Sequence, residues 1–151
     1  MQERFETFTV LINRISRDIR KIKNQEMAAY HLRSAHVSCL YYVYSLGSVT
    51  SAELCEHCEE DKATISRALD YLETNGFIVR DSDRAKRYRS PLRLTGKGQE
   101  AGKRIAEKIG AVLDTVSHTF TEDEWAALYR SLSAISRSLN AIAQSSGKQE
   151  A

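Results

Sequence analysis

The sequence has few of the residues that break or cross-link a chain. Its 151 residues include one proline, seven glycines and three cysteines, and 42% of them are hydrophobic. This composition argues against a disordered chain and is sufficient for a hydrophobic core. Three cysteines, an odd number without paired spacing, do not make a disulfide framework. Their number and spacing indicate a protein in which the cysteines are free thiols.

Long apolar runs are also missing. No run approaches the roughly 20 residues that a membrane-spanning helix needs, and the N-terminus lacks a signal-peptide pattern. No nucleophile–base signature, glycine-rich phosphate loop or dense carboxylate pair is present either. We therefore expect a cytoplasmic protein that is not an enzyme, needs no cofactor or metal, and does not interact with membranes.

An overall excess of one charge is absent, because 22 Lys and Arg residues face 20 Asp and Glu residues. The distribution is more informative. Seven basic residues lie between Arg80 and Lys97, where only Asp81 and Asp83 oppose them. Such a local excess predicts one face that contacts a polyanion.

The stretch from Asp61 to Gly76 organises the rest of the chain. Asp61 is a good N-cap, and Asn75-Gly76 supplies a left-handed residue that closes a helix. Four apolar residues share one face of this helix, and the opposite face is short, polar and centred on Arg67. That second face suits the DNA major groove, which requires close approach and a forked donor for base edges. The apolar face comprises Ile65, Ala68, Leu69 and Leu72, and the polar face Ala63, Ser66, Arg67, Asp70 and Tyr71.

The segments on either side predict a winged helix-turn-helix. A strand stub at 48–50 precedes a helix at 52–59 that Ser51 can cap, and a short turn at Glu59-Glu60 leads into the 61–76 helix. After this helix the sequence predicts a β-hairpin, with strands at 77–79 and 88–94 and a basic tip at 81–87. Pro91 indicates that the second strand is an edge strand.

Four further helices complete the prediction, at 3–24, at 31–46, from Thr95 onwards, and from the capping box Thr121-Glu124 onwards. The second is apolar on most sides and should be central. The first and last each carry a narrow apolar seam, suited to packing on another helix. The seams comprise Phe5, Phe8, Ile12, Ile15, Ile19 and Ile22, and Trp125, Leu128, Leu132, Ile135, Leu139 and Ile142.

Four sequence blocks in this order resemble the MarR family of winged-helix transcriptional regulators. They are Ala52-Glu53-Leu54, then 61–67, then Leu72-Glu73 with Gly76-Phe77-Ile78, and finally Leu92-Arg93-Leu94-Thr95 with Gly98. The resemblance covers about residues 37–105 closely. It implies a mainly α (α+β) fold, in which residues 37–103 form the DNA-binding domain, residues 1–36 and 104–145 the helical dimerisation region, and 146–151 a flexible tail.

The resemblance also implies a homodimer on double-stranded DNA, with each recognition helix in a major groove and each wing in a minor groove. The family often places an arginine at the hairpin tip where this chain has Tyr88. We therefore expect Arg87, and then Arg84, to enter the minor groove. The full set of expected DNA-binding residues is Lys62, Ala63, Thr64, Ser66, Arg67, Asp70, Arg84, Lys86, Arg87 and Arg89.

Three regulatory signals can be considered. A small aromatic effector near Tyr30, His36, Cys39 and Tyr41 ranks first, because the family usually has a ligand crevice there. Oxidation at Cys55 or Cys58 ranks second, and a metal at His36 and Cys39 third, because at least three ligands must converge.

The favoured interpretation is a DNA-binding regulator, acting as a repressor on a pseudo-palindromic operator and released by a small effector. An alternative is a helical protein–protein adaptor whose winged domain has lost DNA binding. The basic wing argues against that alternative.

Overall fold

The computed structural model describes residues 2–58 and 60–146, apart from the side chains of Gln2 and Phe5. Three parts of the sequence prediction lie outside them: the side chain of Phe5 in the first seam, the turn residue Glu59 and the tail beyond Ser146. In chain order the elements are α1 (Gln2–Glu26), a 3-10 turn (Ala28–Tyr30), α2 (Ser34–Leu46), α3 (Ser51–His57), α4 (Lys62–Thr74), β1 (Ile78–Val79), α5 (Arg84–Arg87), β2 (Arg93–Leu94), α6 (Gly96–Ser117) and α7 (Glu122–Ser146). The predicted mainly α class with a small sheet is confirmed.

The chain divides into two compact units, which meet in sequence between Ile109 and Gly110. The first unit contains α1 to α5, both strands and most of α6. The second contains the end of α6 and α7. None of the helices that the structure describes has both the length and the hydropathy needed to cross a membrane.

Helix α2 is central in the first unit and packs against α1, α3 and α4. Leu40, Leu54 and Leu72, from α2, α3 and α4, are fully buried in one core. Burying a leucine side chain contributes roughly 1.5–3 kcal/mol. These contacts fix how α3 and α4 sit on α2, as the apolar character of α2 predicted.

Helix α2 begins at Ser34 and not near His31, so the predicted start is wrong. His31 adopts a left-handed backbone (φ 56°), and Arg33 is extended. A helix cannot run through either conformation. The Asn24 side-chain oxygen accepts a hydrogen bond from the Ser34 N–H at 2.7 Å.

Thr50, and not Ser51, caps α3. The Thr50 hydroxyl accepts from the Glu53 N–H at 3.2 Å, and the Glu53 carboxylate accepts from the Thr50 N–H at 2.8 Å. This capping box needs a glutamate three residues after the cap. Ser51 has Leu54 at that position, which explains why the neighbouring threonine is used.

The wing differs from the predicted hairpin. Only two residues of each strand pair, with Ile78 opposite Leu94 and Val79 opposite Arg93. The tip is the short helix α5, and Pro91 bridges Thr50 while the Leu92 N–H donates to the Val49 carbonyl at 2.8 Å. The predicted extended strand over 88–94 is therefore mostly wrong, because residues 88–90 continue the turn after α5, where the Arg89 and Ser90 N–H groups donate to the Lys86 carbonyl.

Helix α6 starts against the base of the wing. The Thr95 hydroxyl accepts from the Gly98 N–H at 3.0 Å, which confirms Thr95 as the cap. A Cβ atom at Gly98 would collide with the Phe77 carbonyl oxygen. Glycine at this position therefore permits the close approach of α6 to the residue before β1.

Helix α7 opens with the predicted capping box. The Glu124 N–H donates to the Thr121 hydroxyl at 3.3 Å, and the Thr121 N–H donates to the Glu124 carboxylate at 2.8 Å. From Leu128 to Ile142 the apolar seam of this helix is solvent-exposed.

Candidate nucleic-acid interface

Helix α4 has one buried and one exposed face, as predicted, except that Tyr71 is half-buried and stacks on His36. Its N-terminus is fixed by Asp61, whose carboxylate accepts from the Thr64 N–H at 2.6 Å. This hydrogen bond, and a further one with the Thr64 side chain, lower the pKa of Asp61. The helix ends before Gly76, which has a φ of +76°. The buried face consists of Ile65, Ala68, Leu69 and Leu72, and the exposed residues include Lys62, Ala63, Ser66, Arg67 and Asp70.

Arg67 lies exposed at the middle of this outer face. Its guanidinium donates to the Thr64 hydroxyl at 3.1 Å. Within the described residues, Arg67 enters no ion pair with a carboxylate. Asp70, which could have held Arg67 from one turn away, pairs with Arg80 instead. The forked donor of Arg67 therefore remains accessible to a ligand.

Arg80 joins the recognition helix to the wing. It donates to Asp70 at 2.6 Å and to Glu73 at 2.8 Å, and only 9% of its side chain is exposed. The hydrogen bond from Arg80 lowers the pKa of Glu73. Burial opposes the charge on Arg80, but its hydrogen bonds to Glu73 and Asp70 outweigh this and raise its pKa. The wing is thus attached to the outer side of α4 by the ion pairs of Arg80 with Asp70 and Glu73, which we call the Arg80 bracket.

Arg87 reinforces this bracket. Its Nε donates to the Asp81 carbonyl at 2.9 Å, and its Nη2 lies 3.6 Å from the Glu73 carboxylate. The Lys62 ammonium lies 4.7 Å from the centre of the Tyr88 ring, which gives a cation–π contact from the start of α4 to the wing. Arg87 therefore faces inwards, on the side of the wing that touches α4.

The remaining cations of the wing point to solvent. Arg84 and Arg89 are exposed and enter no ion pair among the residues described, and Lys86 lies 3.9 Å from Asp83. Asp83 also accepts from the Ala85 N–H at 2.9 Å, so it caps the short helix that presents them. The structure thus places Arg84, Lys86 and Arg89 on an exposed basic tip beside α4.

The four residues expected to form an effector pocket separate into different environments. His36 stacks on Tyr71, with ring centroids 4.3 Å apart, and lines a cavity of about 650 Å³ with six other residues. Tyr30 accepts a hydrogen bond from Arg104 at 2.7 Å, and Cys39 is fully buried in the core. Tyr41 packs edge-on against Tyr42. Only His36 of the four lines this cavity, whose other walls are Asn24, Ala28, His31, Leu32, Arg33 and Tyr71.

His36 is held as a neutral imidazole. Its Nδ1 accepts a hydrogen bond from the Arg33 N–H at 3.0 Å, which requires an unprotonated nitrogen. Burial, and then the nearby Arg33 charge, lower the pKa of His36. Among the described residues, no three His, Cys, Asp or Glu side chains converge to hold a metal ion. The metal site considered at His36 and Cys39 therefore lacks a ligand set there.

Sequence reasoning missed the structural roles of Arg80 and Tyr88. Arg80 was counted only as one of several basic residues. The spacing of Asp70 and Glu73, three residues apart on one helix, was a signal, because two carboxylates on one face can share one arginine. No sequence pattern pointed to the contact between Lys62 and Tyr88.

The chain resembles known proteins in both sequence and fold. The sequence profile of the MarR family matches residues 32–87. An uncharacterized HTH-type transcriptional regulator of Bacillus subtilis (strain 168), YwoH, is 30% identical over 76 residues, which are 50% of this chain and 56% of that protein. The match thus spans little more than half of that curated relative.

Solved structures extend the likeness to most of the chain. A crystal structure of MarR is 28% identical with a TM-score of 0.67, covering 89% of this chain and 91% of that one. The S. aureus MepR–DNA complex is 20% identical with a TM-score of 0.75, covering 87% and 97%. These matches include the terminal helices as well as the helix-turn-helix and the wing.

Proposed function

Because the chain belongs to the MarR family of winged helix-turn-helix transcriptional regulators, which are not enzymes, we propose that it binds a pseudo-palindromic operator as a homodimer and represses transcription. Repression follows if the bound dimer occupies promoter DNA and blocks the polymerase. The protein would act on the chromosome in the cytoplasm.

The observation that carries this proposal is the exposed face of α4 beside the basic wing tip. Ala63 and Ser66 are small enough for α4 to approach base edges, and Arg67 offers two donors in the geometry that guanine O6 and N7 accept. Lys62 and Thr64 lie in the first turn, where phosphate contacts are common. MepR, a protein of the same fold, has been crystallised with DNA.

We assign the minor-groove contact to Arg84 ahead of Arg87, in the reverse of the order expected from the sequence. Arg84 is exposed and unpaired within the described part of the chain, while Arg87 is held by Asp81 and Glu73. Moving Arg87 into a groove would require its contacts with both to break. Arg84, Lys86 and Arg89 need no such change, so they supply the phosphate and groove contacts of the wing.

Dimerisation is supported by the two seams. In α1, Ile15 is 55% exposed, and in α7, Leu139 is 51% exposed. Rows of exposed large apolar side chains are rare in a monomer and indicate an interface. A partner chain that covers both seams would make the dimer obligate. Residues 1–36 and 104–145 are accordingly proposed as the dimerisation region.

Operator release by a small effector is the final part of the proposal. The cavity beside His36 and Tyr71 has the volume of a small-molecule site and is lined by α2, α4 and the segment that joins α1 to α2. A ligand there can favour one placement of α4 only if it binds that placement better than the other. An aromatic compound that stacks on the Tyr71 or His36 ring fits this chemistry.

The test is to recover genomic fragments with the purified protein at physiological salt and to map the protected bases. We expect protection of two similar half-sites in inverted orientation, centred about one helical turn or a multiple of it apart. Recovery of random fragments, with no protected sequence in common, would contradict the proposal and favour the adaptor alternative.

A further inference from the structure

The wing touches α4 near both ends of that helix. Towards the C-terminal end, the Arg80 bracket holds Asp70 and Glu73. At the first residue of α4, the Lys62 ammonium lies 4.7 Å from the centre of the Tyr88 ring. At 1.5 Å per residue, Lys62 and Glu73 are about 16 Å apart along the helix axis. Two attachments at this separation restrain both the position of the wing and its tilt against α4.

The backbone around Tyr88 is fixed by the turn that follows α5. The Tyr88 N–H donates to the Lys86 carbonyl, and the next two N–H groups donate to the same carbonyl at 3.0 and 2.9 Å. The preceding residue, Arg87, donates to the Asp81 carbonyl at 2.9 Å. This turn presents the Tyr88 ring to the start of α4, although 43% of the residue stays exposed. A ring so exposed adds little to the core, so its contact with the ammonium is the interaction to explain.

Lys62 is free to bind an anion. It is exposed, and across residues 2–58 and 60–146 it forms no ion pair. A surface lysine samples many rotamers, and fixing them opposes binding. The face of the Tyr88 ring attracts the ammonium and limits this sampling before a ligand arrives. The ring covers one side of the ammonium, which has three donors, so Lys62 can still donate to an anion.

A cavity of about 170 Å³ opens beside this pair, between α3, α4 and the wing. Its lining includes Lys62, Ser66 and Arg84. Arg84, like Lys62, is exposed and has no ion-pair partner in the part of the chain that the structure describes. One uncommitted cation from α4 and one from the wing, with a hydroxyl between them in the lining, suit a phosphodiester group of DNA.

We propose that Tyr88 is a positioning residue for DNA binding, whose ring holds the Lys62 ammonium at the mouth of this cavity for contact with one backbone phosphate in each half-site. This inference rests on the proposed function. Tyr88 supplies no charge and touches no base. The phosphate lies between the groove that α4 enters and the groove that the wing reaches, so the pair keeps helix and wing in register on one stretch of DNA.

The contact itself is tested in the free full-length protein by NMR. The ring current of Tyr88 should move the Cε proton resonances of Lys62 upfield from those of Lys86, an exposed lysine of the wing tip. The shift should persist in Tyr88→Phe and vanish in Tyr88→Leu, while circular dichroism confirms that both variants are folded. Lys62 and Lys86 resonances at the same position in the wild type would overturn the proposal.

The role in DNA binding is tested by operator affinity in a double-mutant cycle. Tyr88→Leu should bind roughly 2- to 5-fold more weakly, the range of an exposed cation–π contact, and Tyr88→Phe should bind like the wild type because it keeps the ring. Lys62→Met should reduce the slope of log affinity against log salt by about 0.9. Adding Tyr88→Leu to Lys62→Met should then cause no further loss, because the ring acts through the ammonium.

Two results of this cycle would overturn the role of Tyr88. Equal losses in Tyr88→Phe and Tyr88→Leu would show that the hydroxyl contacts DNA directly. Additive losses for Lys62→Met and Tyr88→Leu would show that the ring acts independently of the ammonium. Absence of specific DNA binding by the wild type would instead refute the proposed function, with the contact between Tyr88 and Lys62 still decided by the resonance shifts.

Discussion

We propose that Arg67 reads base edges, because within the described residues its guanidinium pairs with no carboxylate. Within the part of the chain that the structure describes, its side chain donates to the Thr64 hydroxyl, and Asp70 pairs with Arg80 instead. An arginine without a carboxylate partner keeps its full charge and fork geometry for guanine. The exposed position of Arg67 on α4 could be predicted from the sequence, since it follows from helix periodicity. The pairing of Asp70 with Arg80 could not be predicted, because it depends on how the wing packs against α4.

We expect Arg67→Ala to weaken binding to the specific site by about 1–3 kcal/mol and to leave nonspecific binding nearly unchanged. The reason is that the lost contacts are to base edges, whereas nonspecific binding depends on phosphates. Fluorescence anisotropy with operator and scrambled duplexes measures both. Arg14→Ala, an exposed arginine on α1, serves as the control and should bind like the wild type. Equal losses on the two duplexes would show that Arg67 contacts only the backbone.

His36 gives a pH dependence to stability. Its folded pKa lies below the usual 6.5, so the unfolded chain takes up a proton before the folded one does. The contribution of neutral His36 to the free energy of unfolding is complete above pH 6.5 and is lost as the pH falls below that value. Urea unfolding at pH 7.5 and pH 5.5 should therefore show a larger loss of stability for the wild type than for His36→Gln. An identical loss in both proteins would show that His36 is not shielded in the native state.

At the scale of elements, the wing is the part least predictable from sequence. Helix spacing and caps identified α4, α6 and α7, because those signals are local. The tip became helix α5 because Asp83 caps it, and Pro91 pairs with Thr50 through a contact 41 residues distant in sequence. The orientation of the wing depends on the long-range bracket of Arg80, which no local pattern encodes.

Removing the bracket should loosen the wing. Arg80→Ala leaves the Asp70 and Glu73 carboxylates together without their shared donor, and should cost roughly 1.5–3 kcal/mol, as for other hydrogen bonds to charged groups. Lys103→Ala provides the matched control, since it breaks an exposed pair with Glu107 that should contribute less than about 0.5 kcal/mol. Denaturant unfolding measures both. A similar small loss in the two variants would show that the bracket does not hold the wing.

Arg84 and Arg87 should differ in how much each contributes to the salt dependence of DNA affinity. Arg84→Ala should reduce the slope of log affinity against log salt by about 0.9, the value for one lost phosphate contact. Arg87→Ala should change the slope less and reduce the stability of the fold more, because Arg87 is held by Asp81 and Glu73. A larger slope change for Arg87 would restore it as the groove residue.

At the scale of the whole molecule, we propose that a second copy of the chain covers the exposed apolar seams of α1 and α7. The spacing of the seam residues could be predicted from the sequence because it repeats over several helical turns. Which residues they contact could not be predicted, since periodicity defines a face and not its neighbour. The division of roles between terminal helices and winged domain likewise stays a prediction until the assembly is measured.

Charge in both seams should abolish assembly. Ile15→Asp with Leu132→Asp places carboxylates in the proposed interface and should give unfolded or aggregated protein, because burying an unpaired charge is costly. Asn13→Asp with Ser133→Asp adds the same charges to neighbouring polar positions and should remain a dimer. Light scattering after size exclusion, with circular dichroism, distinguishes the outcomes. A well-folded monomer from the first pair would show that the seams are not the interface.

Specific DNA binding through α4 and the wing is tested most directly by a salt titration of operator affinity, comparing the wild type with Arg67→Ala/Arg84→Ala/Arg87→Ala. We expect the triple variant to stay folded and dimeric, to lose its preference for operator over scrambled DNA, and to show a shallower salt slope. Unchanged operator affinity together with an unchanged slope would contradict the assignment of this surface to DNA.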